Sequence, residues 1–333
     1  MLTKVVSQSK FIEFSMLVLI LLLGMFCIYT PEILPVRWGA NHAPQIMFFY
    51  FGLGLVLFAF KRYKFTFVSF ACCATLCVFL KENTHGQQMQ YAIPTNQPEM
   101  KVAHFNVNNF EPDVDYTLDY LLNLDVDVLS IQGLDPEFSF LLEEYLSEAY
   151  PHQVLLPSLS FDGIAVLSKH HFTADTFYHE SIPNILGEVN IKGAEKFYFV
   201  ASHTVPTLTT VDYERTQAHL NTIVSNCSNL DAPLVTFGDY HLVSWSPEIQ
   251  MFRQSVDLND SRIGFMPSFI DGKVNFLDVP QDHIFYSSHF KCTSFSVLSS
   301  ESSPHMGITG TFELLEKGQS LSDASLYHPN VAQ

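Results

Sequence analysis

The sequence predicts an α/β protein in which a two-sheet β-sandwich flanked by helices follows three transmembrane helices. Three observations support this fold class: apolar runs crowd the first 80 residues, a polar stretch with two prolines follows, and strand-like and helix-like segments alternate from Lys101 onward. The predicted organisation is a membrane anchor over 1–80, a linker over 81–100, a globular domain over 101–315 and a disordered tail over 316–333.

The predicted membrane spans cover about 11–30, 44–60 and 65–80. Residues 14–30 carry no charge and are long enough to cross the hydrocarbon layer. The other two runs are shorter, and on length alone they are compatible with buried core helices. They follow a clear span and are rich in aromatic residues, which favours a membrane location. No ionisable residue lies in the middle of a span, so an anchor is favoured over a transporter.

The orientation follows from a basic turn between the second and third runs. Lys61-Arg62-Tyr63-Lys64 is typical of a cytoplasmic loop, which also places the N-terminus in the cytoplasm. Three spans then put the globular domain in the periplasm, on the outer side of the cytoplasmic membrane. A cleaved signal peptide is the weaker interpretation, because no small-residue cleavage site follows the first run.

The globular part is strongly acidic. After position 80 the chain has 11 Lys and Arg against 32 Asp and Glu, a balance of −21. A field of this sign repels phosphate backbones, so nucleic acid is a poor substrate. Only two cysteines, Cys227 and Cys292, belong to this part. The two cysteines could form a disulfide in an oxidising compartment. Buried free thiols are the favoured alternative, because nothing in the spacing indicates a pairing.

The secondary structure predicted for residues 101–315 alternates strands with helices. The predicted strands are 102–107, 126–131, 163–168, 196–203, 233–237, 282–287 and 307–314. The predicted helices are 116–124, 137–150, 212–224 and one that begins near Ser246-Pro247-Glu248 with a serine cap.

Polar residues stand at the ends of several predicted strands, where a buried strand does not need them. In chain order these segments are Phe105-Asn106-Val107-Asn108, Ile131-Gln132, Ser202-His203-Thr204, Gly238-Asp239-Tyr240-His241, Gln281-Asp282-His283-Ile284 and Ser303-Pro304-His305. Taken singly, Asp239 is also typical of a turn or cap, and lone histidines are more often structural than catalytic. As an ordered set, these segments predict one site.

This ordered set resembles the signature of the endonuclease/exonuclease/phosphatase superfamily. The layout is most similar to the branch with three N-terminal spans and an extracytoplasmic phosphohydrolase domain, as in the bacterial teicoplanin-resistance membrane proteins. Thr236–Pro247 resembles that branch's Gly-Asp-Phe-Asn stretch and the Trp-Ser-Pro helix start after it, and Val279–Ser287 resembles its Ile-Asp-His stretch. The resemblance covers roughly residues 100–315.

The resemblance implies a site chemistry. In this family a divalent metal, usually Mg²⁺, is held by a carboxylate and bridges to the substrate phosphate, while an Asp deprotonates the attacking water. Carried over, Asn106 contacts metal or phosphate, His203 contacts phosphate and Asp239 handles the water. Asp282 orients His305. The resulting catalytic set is Asp239, His305, Asp282 and His203, and the metal set is Asn106, Asp239 and His241.

Three positions depart from the family pattern. The metal-binding Glu that follows the Gln of the second motif is Gly133, the Asn after the catalytic Asp is His241, and the Asp before the final His is Pro304. Because Mg²⁺ depends on anionic oxygen ligands, the loss at Gly133 weighs most. Asp135 and Glu137 are near in sequence, but they stand where the family commonly carries ordinary acids.

These departures leave two functional hypotheses. The first is a catalytically impaired, extracytoplasmic binding or assembly module, with a phosphorylated or lipid-linked small molecule or a protein as its partner. The second is an active metal-dependent phosphohydrolase that acts on a membrane-proximal phosphate ester or pyrophosphate, with a transition ion bound by His203, Asp239, His241 and His305.

Overall fold

The computed structural model describes residues 2–84, 91–95, 97–107, 114–160, 162–191, 196–230, 232–265, 267–268, 278–298 and 307–315. The N-terminal unit is helical. Its helices are α1 (Leu2–Tyr29), α2 (Leu34–Asn41), α3 (Ala43–Ala59) and α4 (Tyr63–Thr84).

Two of these helices are long and apolar enough to cross a membrane. They cover Lys10–Tyr29 and Tyr63–Thr84, with mean hydropathies of 2.6 and 1.7. The apolar helix α3 has 17 residues and follows α2 with a bend of 75°. By length and composition, the described residues therefore provide two helices that could span a membrane, or three if the bent pair is one span.

The globular unit contains twelve strands and four helices among the described residues. The strands are β1 (Glu99–Asn106), β2 (Val128–Gln132), β3 (His152–Leu156), β4 (Ile164–Ser168), β5 (Phe172–His179), β6 (Ile182–Asn190), β7 (Lys196–His203), β8 (Leu234–Asp239), β9 (Leu258–Asp260), β10 (Asp282–Ser287), β11 (Phe290–Leu298) and β12 (Gly307–Leu314). The helices are α5 (Val114–Leu122), α6 (Pro136–Leu146), α7 (Thr210–Cys227) and α8 (Pro247–Ser255).

The strands form two six-stranded sheets. The first has the order β11-β12-β1-β2-β4-β3 and the second has the order β5-β6-β7-β8-β10-β9. In each sheet one central pair is parallel, β1 with β2 and β7 with β8, while the other pairs are antiparallel. These four central strands have their carboxyl ends at the same end of their sheets. The amino ends of β4 and β10 lie there too, because antiparallel neighbours run in opposite directions.

Side chains alternate between two hydrophobic cores, as the pleat of a strand requires. In β1, Met100 and Val102 belong to a core shared by both sheets, whereas Ala103 and Phe105 belong to a core under the helices. The inter-sheet core also contains Phe199, Phe237 and other apolar residues of the second sheet. Burial of these inward side chains is the main stabilisation of the sandwich. The two-sheet, helix-flanked fold class predicted from the sequence is confirmed.

Helices α5 and α6 cover the first sheet, and α7 lies against the second. Leu118 of α5 and Leu142 of α6 belong to the core under the helices. Helix α6 begins at a side-chain cap in which Asp135 Oδ1 accepts the Phe138 N–H at 2.7 Å. Helix α7 begins with a reciprocal capping box between Thr209 and Asp212.

Residues 91–95 are fixed to the edge of the first sheet. The Ala92 N–H donates to the Cys292 carbonyl at 3.0 Å, and the Thr95 N–H donates to both carboxylate oxygens of Glu313 at 2.9 and 2.8 Å. Lys291 Nζ lies 2.9 Å from Glu313 Oε2 and also donates to the Ile93 carbonyl at 3.0 Å. This part of the predicted linker is therefore an integral part of the sheet edge.

Several sequence predictions are corrected by the fold. The prediction omitted the strands β3, β5, β6, β9 and β11, and the predicted helix 137–150 ends at Leu146. The strands at 196–203, 282–287 and 307–314 have the predicted bounds. Cys227 and Cys292 are buried free thiols, as the sequence favoured, and burial raises the pKa of Cys227 to about 12.

Candidate active site

Five polar side chains occupy the inward positions at one end of the sandwich. They are Asn106 of β1, Gln132 of β2, His203 of β7, Asp239 of β8 and Asp282 of β10. On its own strand, each of these residues is separated by an even number of positions from a residue of the inter-sheet core. Because side chains alternate along a strand, each therefore points between the sheets. All five are buried.

Asp239 is at the centre of this cluster and is fully buried. Asn106 Nδ2 donates to Asp239 Oδ2 at 3.2 Å, across the space between the two sheets. Asp239 Oδ1 accepts the backbone N–H of His241 at 2.9 Å and lies 3.2 Å from the ring atom His241 Nδ1. These contacts hold the Asp239 carboxylate in one orientation.

His241 turns its ring back toward the end of β7. Its backbone has φ +50°, in the left-handed region that few non-glycine residues adopt. His241 Nε2 lies 3.1 Å from His203 Nε2, and the Thr207 hydroxyl donates to the His241 carbonyl at 3.1 Å. His203, Asp239 and His241 therefore offer three ligand atoms that all lie within 4.8 Å of one another.

Gln132 joins the two sheets beneath Asp239. Its Oε1 accepts the Asp239 N–H at 3.1 Å, and its Nε2 donates to the Ser202 carbonyl. The contact needs a glycine at position 238, because a Cβ there would lie 1.8 Å from the Ser202 carbonyl oxygen. The amide of Gln132 thus connects β2 with the ends of β7 and β8.

Gly133 follows Gln132 with φ +73°, a backbone conformation that favours glycine. This residue supplies no carboxylate, and the nearby Asp135 is committed to the cap of α6. The ligand atoms of His203, Asp239 and His241 come from two imidazoles and one carboxylate. Such a donor set suits a borderline transition ion such as Zn²⁺ better than Mg²⁺, which prefers oxygen ligands.

Asp282 is adjacent to a histidine that the sequence reasoning missed. His104 Nε2 lies 3.4 Å from Asp282 Oδ1, and His104 Nδ1 lies 3.3 Å from Ser130 Oγ. Both His104 and Asp282 are buried. His104 is polar and lies two positions before Asn106, on the same face of the strand. This pattern in the sequence could have indicated that His104 belongs to the site.

The catalytic and metal sets named from the sequence contain five residues at strand ends, and the structure brings together the four that lie within the described part of the chain. They are Asn106, His203, Asp239 and Asp282, and His241 joins them from the turn after β8. The fifth strand-end residue, His305, and the neighbouring Pro304 lie outside the described residues, as does Asn108. The predicted Asp282–His305 pairing stays a prediction.

A second polar cluster lies behind the end of β7. Ser202 Oγ donates to Asn184 Oδ1 at 2.6 Å, and His219 Nε2 lies 2.8 Å from the same oxygen. The His179 ring stacks on His219 with centroids 4.8 Å apart. Burial, followed by the neighbouring His179 and His203, lowers the pKa of His219 to about 3. His219 is therefore neutral in the folded protein at neutral pH.

Comparisons with known proteins agree with this architecture. A model described as the Endonuclease/Exonuclease/phosphatase family matches residues 103–305. No curated protein matches the sequence.

Solved structures share the fold at low sequence identity. A humanized form of D. rerio TDP2 is 17% identical with a TM-score of 0.55, and the match covers 65% of this chain and 99% of that one. An endonuclease/exonuclease/phosphatase from Beutenbergia cavernae is 16% identical with a TM-score of 0.54, covering 65% and 72%. One from Bacteroides vulgatus is 14% identical with a TM-score of 0.55, covering 66% and 100%.

Proposed function

Because the chain belongs to the endonuclease/exonuclease/phosphatase family, we propose that it is a membrane-anchored member whose Mg²⁺-dependent hydrolysis is impaired. Its globular domain then serves as an extracytoplasmic binding or assembly module. The partner is a phosphorylated or lipid-linked small molecule, or a protein, at the membrane surface.

The observation that carries this proposal is the residue at position 133. The family resemblance calls for a metal-binding carboxylate after Gln132, and Gly133 has no side chain and a left-handed backbone. Hard Mg²⁺ loses its principal anionic ligand under this substitution. The amides of Asn106 and Gln132 contact protein groups, which supports a role in holding the strand ends together.

The extracytoplasmic placement is supported by the basic turn at residues 61–64. Lys61 and Arg62 precede α4 and Lys64 lies in its first turn, so a cytoplasmic location of these residues directs this helix outward. Reporter fusions after residue 62 and after residue 333 test this orientation. An enzyme reporter that is active only outside the cytoplasm should be active at 333 and inactive at 62, and the reverse result excludes the placement.

Steady-state turnover tests the impaired activity. The purified full chain in detergent is assayed with phosphomonoester and phosphodiester substrates in Mg²⁺ and in Mn²⁺. We expect no turnover above that of the Asp239→Ala variant. Robust activity in the parent chain that is lost in Asp239→Ala contradicts the proposal.

A second candidate function is an active phosphohydrolase with a histidine-rich metal centre. It is favoured by the compact His203, Asp239 and His241 cluster. A divalent ion bound there would polarise a phosphoryl oxygen and lower the pKa of a bound water. His203 and His241 would hold the ion, and Asp239, oriented by Asn106, would accept a proton from the attacking water.

Metal analysis separates this candidate from the first. We expect the second candidate to show stoichiometric Zn²⁺ or Mn²⁺ in the purified chain and lower metal content in His241→Ala. Absence of bound metal, with unchanged content in His241→Ala, removes its basis.

A further inference from the structure

Strand β5 is a long, exposed strand at the edge of the second sheet. Within the described part of the chain it pairs with β6 alone, in a continuous antiparallel register from Phe172 to His179. Most of its side chains are exposed. Alternate N–H and carbonyl groups of an edge strand point away from its neighbour, so β5 can accept a further strand.

The other three sheet edges are shorter or covered, as far as the described residues show. Strand β9 has three residues, and β3 has five residues that are all half-buried. Residues 91–95 lie along β11, where the Ala92 N–H donates to the Cys292 carbonyl at 3.0 Å. Strand β5 has eight residues and lacks the usual devices that protect an edge, since it contains no lysine, proline or bulge.

The sequence of β5 limits how two copies of this strand could pair. Opposite residues of an antiparallel pair are either both hydrogen-bonded or both not, so a two-fold axis must place one residue opposite its own copy. An axis at Asp175 places two carboxylates directly opposite each other, which is destabilising. An axis at Ala174 or at Phe177 leaves a shorter overlap than an axis at Thr176, which pairs residues 173–179.

The register centred on Thr176 is also compatible with the side chains and charges of β5. Tyr178 lies opposite Ala174 of the second copy, so a large exposed side chain faces a small one. The two Thr176 hydroxyls face each other and can hydrogen-bond. Asp175 lies opposite Phe177, so no like charges face each other across the pair.

We infer that β5 pairs with β5 of a second copy of this chain, antiparallel and centred on Thr176, and joins the two second sheets into one continuous sheet. A second copy fits this edge because the strand is complementary to itself in this register. Anchoring of both copies in one membrane, as proposed above, would raise their effective concentration. The inference does not depend on metal binding or on turnover.

Cysteine crosslinking in membranes that contain the full chain tests the inference. Thr176→Cys places two thiols opposite each other, so oxidation should yield about tenfold more disulfide-linked dimer than in the parent chain. Thr173→Cys is the matched control, because Thr173 is also an exposed threonine of β5. In this register it lies opposite His179, roughly 20 Å along the strand from its own copy and beyond the reach of a disulfide.

A second pair of variants tests the same register without oxidation. Thr176→Lys places like charges opposite each other across the axis, so we expect roughly threefold weaker dimerisation. Thr173→Lys faces His179 and should dimerise like the parent chain. Förster transfer between donor-labelled and acceptor-labelled full chains in phosphatidylcholine vesicles measures the dimer, and far-ultraviolet circular dichroism verifies that each variant is folded.

The outcomes are distinct. Strong crosslinking of Thr176→Cys beside background crosslinking of Thr173→Cys supports the inference. Equal crosslinking of the two variants indicates random collision and overturns it, as does crosslinking of Thr176→Cys no greater than that of the parent chain. Equal dimerisation of Thr176→Lys and Thr173→Lys also contradicts the register.

Discussion

Asp239 and Asp282 are register partners on the antiparallel strands β8 and β10, and both carboxyl side chains are buried on the inward face. Like charges directly opposite each other across a strand pair are destabilising. Asn106 donates to Asp239, and His104 lies against Asp282, so each acid has a partner on β1 of the other sheet. A cation bound at Asp239 would reduce the repulsion between the two acids.

Divalent transition ions should therefore stabilise the folded protein. At a free ion concentration of about 100 times Kd, binding to the folded state alone contributes about 2.7 kcal/mol. Thermal unfolding with Zn²⁺ and with chelator measures this as a rise in Tm, which Asp239→Asn should abolish. Equal rises in the two proteins would show that the ion binds elsewhere.

The glycine beneath Asp239 should be irreplaceable. Gly238→Ala places a Cβ against the Ser202 carbonyl oxygen, and overpacking of this kind costs about 1 to 3 kcal/mol in addition to the backbone strain. Gly264→Ala is the matched control, because Gly264 also has a positive φ but, apart from its chain neighbours, no described residue has an atom within 4 Å of its Cβ position. Denaturant unfolding should show the larger loss in Gly238→Ala, and equal losses would contradict the close contact.

The buried ion pair between Lys291 and Glu313 at the sheet edge should contribute to the free energy of unfolding. Glu313 also accepts the Thr95 N–H. Glu313→Gln leaves buried Lys291 without its anion and weakens the contacts to the Thr95 N–H, so we expect a loss of about 3 to 5 kcal/mol in unfolding free energy. The double variant Lys291→Met, Glu313→Leu should lose less, since no charge remains buried and unpaired. Lys196→Met, in the exposed pair with Glu188, should have no measurable effect.

His219 should make the domain sensitive to mild acid. Its pKa is lowered to about 3 in the folded state by burial, against 6.5 ordinarily, so the unfolded chain binds this proton first. Stability from this residue is present above about pH 6.5 and decreases as the pH falls toward 3, by up to about 1.4 kcal/mol per pH unit. In His219→Gln the slope of unfolding free energy against pH should be shallower in this window.

The same pair of proteins supplies its own control above pH 7. There His219 is neutral in both the folded and the unfolded state, so the two slopes should coincide whatever the variant costs in absolute stability. Identical slopes below pH 6.5 would contradict the neutral state assigned to folded His219.

The elements that could be predicted from the sequence are those with continuous apolar runs. Strands β7, β10 and β12 were predicted with their observed bounds, since buried central strands need apolar side chains along their length. Strand β5 was missed because it lies at a sheet edge and is mostly exposed, so its sequence has no apolar run. Its strand conformation is stabilised by pairing with β6, which a local pattern does not reveal.

The same distinction applies to the site. Asn106, His203, Asp239 and Asp282 could be named because polar residues at the ends of apolar strands stand out in the sequence. His104 lies within a predicted strand, where a single histidine resembles an ordinary core residue. Its contact with Asp282 joins strands of different sheets and forms only in the folded chain.

The left-handed backbone of Gly133 has a practical consequence for any attempt to introduce a metal-binding glutamate at this position. Introducing a glutamate at that position forces a Cβ into φ near +73°, at a cost of about 1 to 2 kcal/mol. The new side chain would leave the backbone at a different angle from one on an extended strand end. Placing a metal-binding glutamate there therefore requires rebuilding the turn after β2, in addition to exchanging one amino acid.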